Sequence, residues 1–371
     1  MLDTFTSQYK SISSDTIKEK IYNSSALDVE NALARKKRTL DDFIALISPA
    51  ASSYIEEMAR LSQLATLRRF GKTIQMYNPL YLSNECNNCC TYCGFNHKNE
   101  IERLTLSEDQ LLKEALALKK FGYEHILLVT GESPNKAGFE YLKRALEIVK
   151  PHFSLVSMEV QPLHTDEYRE LVAMGLNTVY IYQETYHHEH YKNYHPAGKK
   201  ADFTWRLETP DRLGIAGAYK IGLGILLGLE DWRVDSFYLA AHLSWLEKNY
   251  WKSKYSVSFP RLRPATGILE PKYPVSDKEL VQLICAYRLL NEELELSIST
   301  RESEKFRNNI IKLGITSMSA GSKTNPGGYT LNNNSLEQFH IADERSPEEI
   351  AAMIKFQGYE VVWKDWDSVL Q

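Results

Sequence analysis

The sequence of 371 residues has no long apolar run, no marked excess of charge and almost no cysteine outside one short segment. No stretch approaches the roughly 20 apolar residues that a membrane-spanning helix needs. The start, MLDTFTSQYKSISSDTIKEK, is polar and mixed in charge, unlike a secretory signal. A net charge of −4 argues against a surface that binds nucleic acid or anionic lipid. Five cysteines in so long a chain do not form a disulfide framework, so we expect a cytoplasmic protein that binds neither nucleic acid nor membrane.

Four of the five cysteines are crowded into CNNCCTYCGF, residues 86–95. Disulfides are disfavoured, because bridged cysteines need converging side chains and Cα atoms about 4.4–6.8 Å apart, which neighbours in a tight loop rarely provide. A zinc site made of two C-x-x-C pairs would require the adjacent Cys89 and Cys90 to bind one ion, whereas structural zinc pairs are separated by longer spacers. Without Cys89, which we expect to be a spare thiol, Cys86, Cys90 and Cys93 have the spacing C-x3-C-x2-C. Three thiolates on a short loop can hold three irons of a cubane cluster and leave the fourth iron open.

This spacing, with Tyr92 immediately before the last cysteine, resembles the signature of the radical S-adenosylmethionine (SAM) superfamily. In that superfamily, the open iron of a [4Fe-4S] cluster chelates the amine and carboxylate of the methionine part of SAM. The resemblance implies that Cys86, Cys90 and Cys93 are the cluster ligands. It also implies that Tyr92 contacts the adenosine.

Strand-like and helix-like patterns alternate along most of the chain. Strict alternation predicts a parallel sheet, and eight strands predict an α/β fold of the (β/α)8 TIM-barrel type. We expect a helical N-terminal extension (1–70), the barrel (71–321) and a loop-rich C-terminal tail that closes the barrel (322–371). The predicted strands are IQMYNPLYL, HILLVTG, SLVSMEV, NTVYIYQE, KIGLGILLG, YSVSFPRL, LELSIST and ITSMSAG.

Polar residues follow several of these strands, where the catalytic residues of such barrels are found. VTGES, after strand two, resembles the superfamily's Gly-Gly-Glu motif: Gly131 permits close approach of a ligand, and Glu132 can accept hydrogen bonds from the SAM ammonium. Glu159 follows strand three on the same face as Gln161 and is expected to face the SAM ribose, with a barrel-lining pair as the alternative. Arg206 resembles the arginine that pairs with the SAM carboxylate in biotin-synthase-like members, with a surface arginine as the alternative.

The segments SFPRLRP, SISTRES, SMSAGSKTNPGGY and GYEVVWKDWD together resemble the aromatic-amino-acid lyase branch of the superfamily. They are most similar to the 2-iminoacetate synthase family, the tyrosine lyases of bacterial thiazole biosynthesis. The resemblance implies that Arg301 clamps the carboxylate of a free amino acid, that Ser319 is a second donor and that Tyr81 contacts the substrate amine. The structural alternatives are an ion pair of Arg301 with Glu302 or Glu304 and an aromatic core position for Tyr81.

The resemblance implies a lyase that cleaves the Cα–Cβ bond of L-tyrosine to 2-iminoacetate (dehydroglycine) and p-cresol, while SAM becomes methionine and 5′-deoxyadenosine. The implied partners are L-tyrosine, a flavodoxin- or ferredoxin-type electron donor and the thiazole synthase of thiamine biosynthesis. Three alternatives remain: the tyrosine lyase of hydrogenase maturation, a tryptophan lyase of the same branch, and a non-enzymatic metal-binding scaffold. The first carries a second cysteine-held cluster, and it is disfavoured because only Cys285, expected to be a packing residue, follows residue 93.

Overall fold

The computed structural model describes residues 4–263, 270–331 and 337–365, so parts of the predicted tail (332–336 and 366–371) lie outside the described residues. Helices and strands alternate along the described chain from residue 73 onward. None of the helices within these ranges is both long enough and apolar enough to cross a membrane.

The strands of the described residues form one sheet. They are β1 (Thr73–Ser83), β2 (His125–Thr130), β3 (Leu155–Glu159), β4 (Thr178–Glu184), β5 (Lys220–Ile225), β6 (Lys254–Ser258), β7 (Glu295–Ile298), β8 (Ser317–Ser319) and β9 (Glu360–Val362). Strands β2 to β8 follow one another in parallel, and β1 pairs with both β8 and β2. The first eight strands therefore close into a parallel barrel, which confirms the predicted fold, and each predicted run overlaps one of them.

Helices surround the barrel and precede it. Within the described ranges they are α1 (Phe5–Ser11), α2 (Ser14–Asn23), α3 (Ala26–Ala34), α4 (Leu40–Ile47), α5 (Ile55–Phe70), α6 (Glu108–Lys120), α7 (Phe139–Val149), α8 (Thr165–Ala173), α9 (His188–Tyr194), α10 (Phe203–Leu207), α11 (Thr209–Ala216), α12 (Trp232–Asn249), α13 (Asp277–Leu290), α14 (Glu304–Ile310) and α15 (Pro347–Phe356). Short 3-10 turns span Pro49–Ser53 and Lys199–Ala201. Helices α4 and α5 of the N-terminal extension pack on α13, and α2 packs on α12.

Several helices begin at capping boxes that are visible in the sequence. In α6, the Ser107 hydroxyl accepts from the N–H of Gln110, whose side chain accepts from the N–H of Ser107, and Ser276 and Glu279 do the same for α13. These reciprocal bonds satisfy backbone donors that would otherwise lack partners at the start of each helix. They fix where the helix begins and hence the length of the loop that leaves the preceding strand. Those loops form the functional end of the barrel.

The C-terminal tail crosses from one end of the barrel to the other. Strand β9, which the sequence pattern does not predict, pairs in parallel with the first residues of β1, with Thr73 opposite Glu360. Earlier in the tail, the carbonyl of Gln338 accepts a 3.1 Å hydrogen bond from the N–H of Gly94 in the cysteine loop. A Cβ atom at Gly94 would lie 2.5 Å from the carbonyl oxygen of Glu337, so only glycine permits this approach.

Candidate active site

The carboxyl ends of the barrel strands surround a cavity that brings every predicted site residue together. Its lining includes the predicted residues Tyr81, Cys86, Cys90, Tyr92, Cys93, Glu132, Glu159, Arg206, Arg301 and Ser319. Arg206 therefore faces the interior, which excludes the surface alternative for this residue. The individual roles assigned to these residues remain predictions.

The cysteine loop follows β1 and is held in place by backbone hydrogen bonds to three other segments. The N–H of Asn87 donates to the carbonyl of Glu132 (2.9 Å), and the N–H of Thr91 donates to the carbonyl of Tyr194 (3.1 Å). The tail supplies the third contact, at Gly94. These hydrogen bonds hold the backbone of the loop at the cavity wall, and with it the cysteines that the sequence predicts as ligands.

The cysteines of the loop differ in whether they line the cavity. Cys86, Cys90 and Cys93 line the cavity, whereas Cys89 is 6% exposed and is buried outside the cavity lining. The thiols of all five cysteines are free. Three soft sulfur donors that face one cavity fit an iron–sulfur cluster that leaves one iron open. Cys285 is fully buried in α13, as expected for a packing residue.

Gly131 and Glu132 follow β2 and contact the cysteine loop directly. A Cβ atom at Gly131 would lie 2.3 Å from the carbonyl oxygen of Glu85. Because glycine has no side chain, the backbone of the cysteine loop packs closely against this position. One carboxylate oxygen of Glu132 accepts from Asn88 Nδ2 and the other accepts from Arg206 Nη1, both at 2.8 Å. Burial opposes ionisation of Glu132, but the charge of Arg206, with Lys200 and these hydrogen bonds, lowers its pKa below the ordinary value.

The contact between Glu132 and Arg206 is not evident from the sequence, which places the two residues at different groups of SAM. Arg206 also donates from Nε to the carbonyl of Tyr182 at 2.6 Å, so its guanidinium is held between β2 and β4. The side chains of Arg206 and Glu132 are 6% and 12% exposed. Removal of one partner from such a buried pair destabilises the protein, because the remaining charge is buried without an opposite charge.

Tyr92 is fixed at its hydroxyl by the helix that follows β4. Its Oη lies 2.7 Å from Nε2 of His195, and Nδ1 of His195 lies 2.9 Å from the carbonyl oxygen of Tyr191. Because a carbonyl only accepts, Nδ1 carries the proton and Nε2 accepts from Tyr92. The ammonium of Lys200 lies 5.7 Å from the centre of the Tyr92 ring, which is within the range of a cation–π contact. The aromatic face of Tyr92 is thereby set against the cavity.

Lys200 also forms an ion pair with Glu184 at the end of β4, with Nζ 2.7 Å from Oε1. Glu184 has a backbone φ of +70°, and no other non-glycine residue in the described part of the chain has a positive φ. The register of β4 against β5 shifts between Tyr182 and Glu184, which marks a bulge there. This backbone conformation is uncommon for a residue with a side chain, and it turns Glu184 into the cavity.

Arg301 has no acidic partner among the described residues. The carboxylate of Glu302 is instead bound by Arg261 and by Arg263, with Arg263 Nη2 at 2.7 Å from its Oε2, and Glu304 lies 3.5 Å from Arg345. The alternative of a structural ion pair for Arg301 is therefore wrong. Arg261 and Arg263 brace Glu302 outside the cavity lining.

The guanidinium of Arg301 stacks on an aromatic ring from the tail. Its central carbon lies 3.3 Å from the centre of the Phe339 ring, while its N–H donors remain available toward the cavity. The neighbouring Gln338 accepts the hydroxyl of Tyr81 at its Oε1 (2.6 Å), and its Nε2 lies 3.8 Å from the sulfur of Cys93. Tyr81 lines the cavity, but it is also buried in a cluster of apolar side chains and its hydroxyl is satisfied by Gln338, so the core alternative fits Tyr81 as well as the predicted substrate contact does.

Among the acidic residues of the cavity, Glu159 has the most strongly shifted pKa. Burial, and secondly the charge of Glu184, raise the pKa of Glu159 to about 7, although Arg301, Lys200 and Arg206 act in the opposite direction. Its carboxyl group is therefore poised between the protonated and ionised forms near neutral pH. Gln161, predicted on the same face, instead donates from Nε2 to the carbonyl of Ala137 at 2.9 Å.

Other cavity residues were not identified from the sequence. Asn88, Gln338 and Phe339 lie in loops and Lys200 lies in a short 3-10 turn, where no periodic pattern marks them. A second group comprises the tyrosines of the cavity floor, Tyr77, Tyr180 and Tyr182. A signal in the sequence was available for two of them, because Tyr180 and Tyr182 alternate along β4 and alternate residues of a strand share a face.

Comparisons with known proteins agree with this geometry. Residues 80–239 match the radical SAM superfamily, and residues 258–360 match the biotin and thiamin synthesis associated domain. The chain is 53% identical over 370 residues to 2-iminoacetate synthase of Escherichia coli (strain K12), covering 100% of this chain and 98% of that protein. The chain belongs to the 2-iminoacetate synthase family. The corresponding protein of Salmonella typhimurium (strain LT2) is 52% identical over the same shares of the two chains.

The solved structures show the same relationship. The structure of HydG, a maturase of the [FeFe]-hydrogenase, superimposes with a TM-score of 0.86 at 31% identity, over 96% of this chain and 78% of that chain. As a member of the 2-iminoacetate synthase family, the chain is a radical SAM lyase that uses a [4Fe-4S] cluster and SAM. The alternative of a non-enzymatic scaffold is therefore wrong.

Proposed function

We propose that this chain cleaves the Cα–Cβ bond of L-tyrosine to give 2-iminoacetate and p-cresol for the thiazole part of thiamine. The observation that carries the proposal is the identity of 53% to a curated 2-iminoacetate synthase along the whole chain. A cavity that joins three free thiols to an arginine without an acidic partner in the described chain supports it.

Cys86, Cys90 and Cys93 would hold the cluster, because they line the cavity and Cys89 does not. The cluster and SAM supply, when bound, the reducing electron and the carbon-centred radical that takes a hydrogen atom from tyrosine. The protein excludes water from this chemistry by closing the cysteine loop between Glu132, Tyr194 and the tail. The same contacts fix the distance between cofactor and substrate sites, on which the transfer of a hydrogen atom depends.

The pair formed by Glu132 and Arg206 suits the two charged ends of an amino acid. Glu132 can accept from the SAM ammonium, and Arg206 can donate to its carboxylate, while each side chain is held in place by the other. The ring of Tyr92, fixed through His195, is available for the adenosine. These roles for Glu132, Arg206 and Tyr92 form the cofactor side of the proposal.

On the substrate side, Arg301 binds the tyrosine carboxylate through the two-pronged fork of its guanidinium, with Ser319 as a second donor. Gln338 contacts both Tyr81 and Cys93 and so links the two residues. In this position Tyr81 directs the substrate amine toward the cofactor. A hydrogen atom leaves a neutral amine more readily than an ammonium, so a base is needed. We assign this role to Glu159, because a carboxyl group with a pKa of about 7 can accept the proton near neutral pH.

The proposed partners follow from the reaction. A flavodoxin- or ferredoxin-type protein in a reducing cytoplasm would supply the electron. The imine product hydrolyses in water, so direct delivery to the thiazole synthase would protect it. Repeated purification from a native extract should recover that synthase with the chain, and its consistent absence would count against the partnership.

Product analysis tests the proposal. After anaerobic reconstitution with iron and sulfide, the chain is reduced and incubated with SAM and either tyrosine or tryptophan. We expect p-cresol and 5′-deoxyadenosine from tyrosine, and no corresponding cleavage of tryptophan. A fully reconstituted chain that forms no p-cresol would refute the proposal. Release of carbon monoxide and cyanide would instead identify the hydrogenase-maturation reaction.

A further inference from the structure

Two histidines and a glutamate meet at a place outside the cavity lining. His187 caps α9, His190 lies in its first turn, and Glu230 follows β5. The two imidazole rings stack with centroids 3.9 Å apart and planes within 2° of parallel. His190 Nδ1 lies 2.8 Å from Oε1 of Glu230, and one ligand atom from each of the three residues lies within 4.8 Å of the others.

An ion pair between His190 and Glu230 explains only part of this arrangement. His187 has a local role as the cap of α9, where its Nδ1 accepts from the N–H of His190 at 3.4 Å, but this bond uses only one of its two ring nitrogens. The carboxylate of Glu230 also receives the hydroxyl of Tyr194 at 2.7 Å, and its side chain is only 5% exposed. A buried carboxylate beside two imidazoles is a donor set that divalent transition-metal ions prefer.

We propose that His187, His190 and Glu230 bind a divalent transition-metal ion of the zinc class. Zinc bonds to imidazole nitrogen and carboxylate oxygen are about 2.0–2.2 Å long, so tetrahedral ligands stand about 3.4 Å apart. Because an imidazole binds a metal in the plane of its ring, the two parallel rings must rotate out of their stack to direct one nitrogen each at the ion. Three protein ligands leave a fourth position for water, and the absence of a thiolate from the set distinguishes it from the cysteine loop.

One neighbouring cation competes with the metal. Lys272 Nζ lies 3.7 Å from Oε1 of Glu230, but the lysine side chain is 49% exposed and can turn away into water. Binding of the metal would then exchange a loose, exposed ion pair for three short bonds. Metal binding therefore needs displacement of Lys272 together with rotation of the two imidazole rings.

The position of this site connects it to the cavity. Helix α9 carries the metal-binding histidines at its start, and Tyr194 at its end donates to the carboxylate of Glu230. The next residue, His195, holds the hydroxyl of Tyr92. A metal ion would hold α9 against the loop after β5 and would thereby stabilise the position of Tyr92.

Metal analysis of the untagged, cluster-loaded holoenzyme tests the proposal, because the cluster occupies the cysteines that would otherwise take up zinc. The protein is dialysed against buffered zinc, and zinc and iron are measured per chain. We expect about one zinc per chain in the wild type and a loss of this zinc in His187→Ala/His190→Ala and in Glu230→Gln. His188→Ala is the matched control, since His188 is exposed and lies outside the group.

Iron content shows in each variant that the protein has folded and holds its cluster. Equal zinc in the wild type and in both altered proteins, or a wild type that retains none, would overturn the proposal. Glu230→Gln keeps the size of the side chain and serves if the double variant does not fold. Zinc that is lost from both altered proteins but kept by His188→Ala supports the assignment.

Discussion

Replacing Arg301 by lysine tests the substrate site most sharply. Arg301 stacks on Phe339 at 3.3 Å and has no carboxylate within ion-pair distance in the described chain, so its donors are available for a ligand. Lysine keeps the charge but loses both the planar stacking and the second prong of the fork. Arg301→Lys should therefore leave the fold, the cluster and SAM binding intact and weaken only the hold on tyrosine.

The expected loss follows from the contacts. A hydrogen bond to a charged group contributes about 1.5–3 kcal/mol, and each 1.4 kcal/mol is a factor of ten. Loss of one prong should therefore lower kcat/KM for p-cresol formation roughly ten- to a hundred-fold. SAM cleavage should fall less, because the radical still forms but lacks a well-placed hydrogen donor. The measurement is the ratio of p-cresol to 5′-deoxyadenosine, which should drop.

The matched control is Arg263→Lys. Arg263 binds Glu302 outside the cavity lining and its side chain is 28% exposed, so a lysine there should leave tyrosine turnover unchanged. Wild-type p-cresol formation by Arg301→Lys would refute the role of Arg301 in the carboxylate clamp. A loss of iron content in Arg301→Lys, with none in the control, would show a structural role instead.

Three further predictions concern the cofactor side and the base. Cys89→Ala should keep the iron content and SAM cleavage of the wild type, because Cys89 does not line the cavity; loss of iron would show that the ligand set is wrong. Glu132→Gln should weaken SAM binding about ten- to a hundred-fold and tyrosine binding less, as measured by equilibrium binding; unchanged SAM affinity would contradict the assignment. Tyrosine turnover should rise as the pH passes upward through about 7, where Glu159 becomes ionised and able to accept a proton, and Glu159→Gln should be slow and lack this rise.

The sequence was sufficient where a pattern repeats or a motif is compact. Alternating strands and helices predicted the barrel, and the carboxyl ends of those strands located residues such as Glu132, Glu159 and Arg301 in one cavity. It was insufficient where a contact joins distant loops. Gln338 and Phe339 belong to an irregular tail, and nothing in their local sequence shows that they reach Tyr81 and Arg301.

Contacts between two predicted site residues could also not be inferred from the sequence. Glu132 and Arg206 were assigned to separate groups of SAM, whereas the structure pairs them, because β2 and β4 both flank β3 and a hydrogen bond holds Arg206 of α10 against the backbone of β4. The bulge that turns Glu184 inward depends on the register between β4 and β5, which no single strand encodes. The division of the chain at residues 70 and 321 stays a prediction.

The path of the tail has a consequence for how the protein is made. Strand β9 attaches near the start of β1, while Gln338 and Phe339 cover the cavity at the opposite end. Both segments follow the cysteine loop in the chain, so the loop is synthesised before the residues that cover it. A cluster could therefore be delivered through an open face and be enclosed when the tail folds over it. The order of the chain is thus compatible with insertion of the cluster before the cavity is covered.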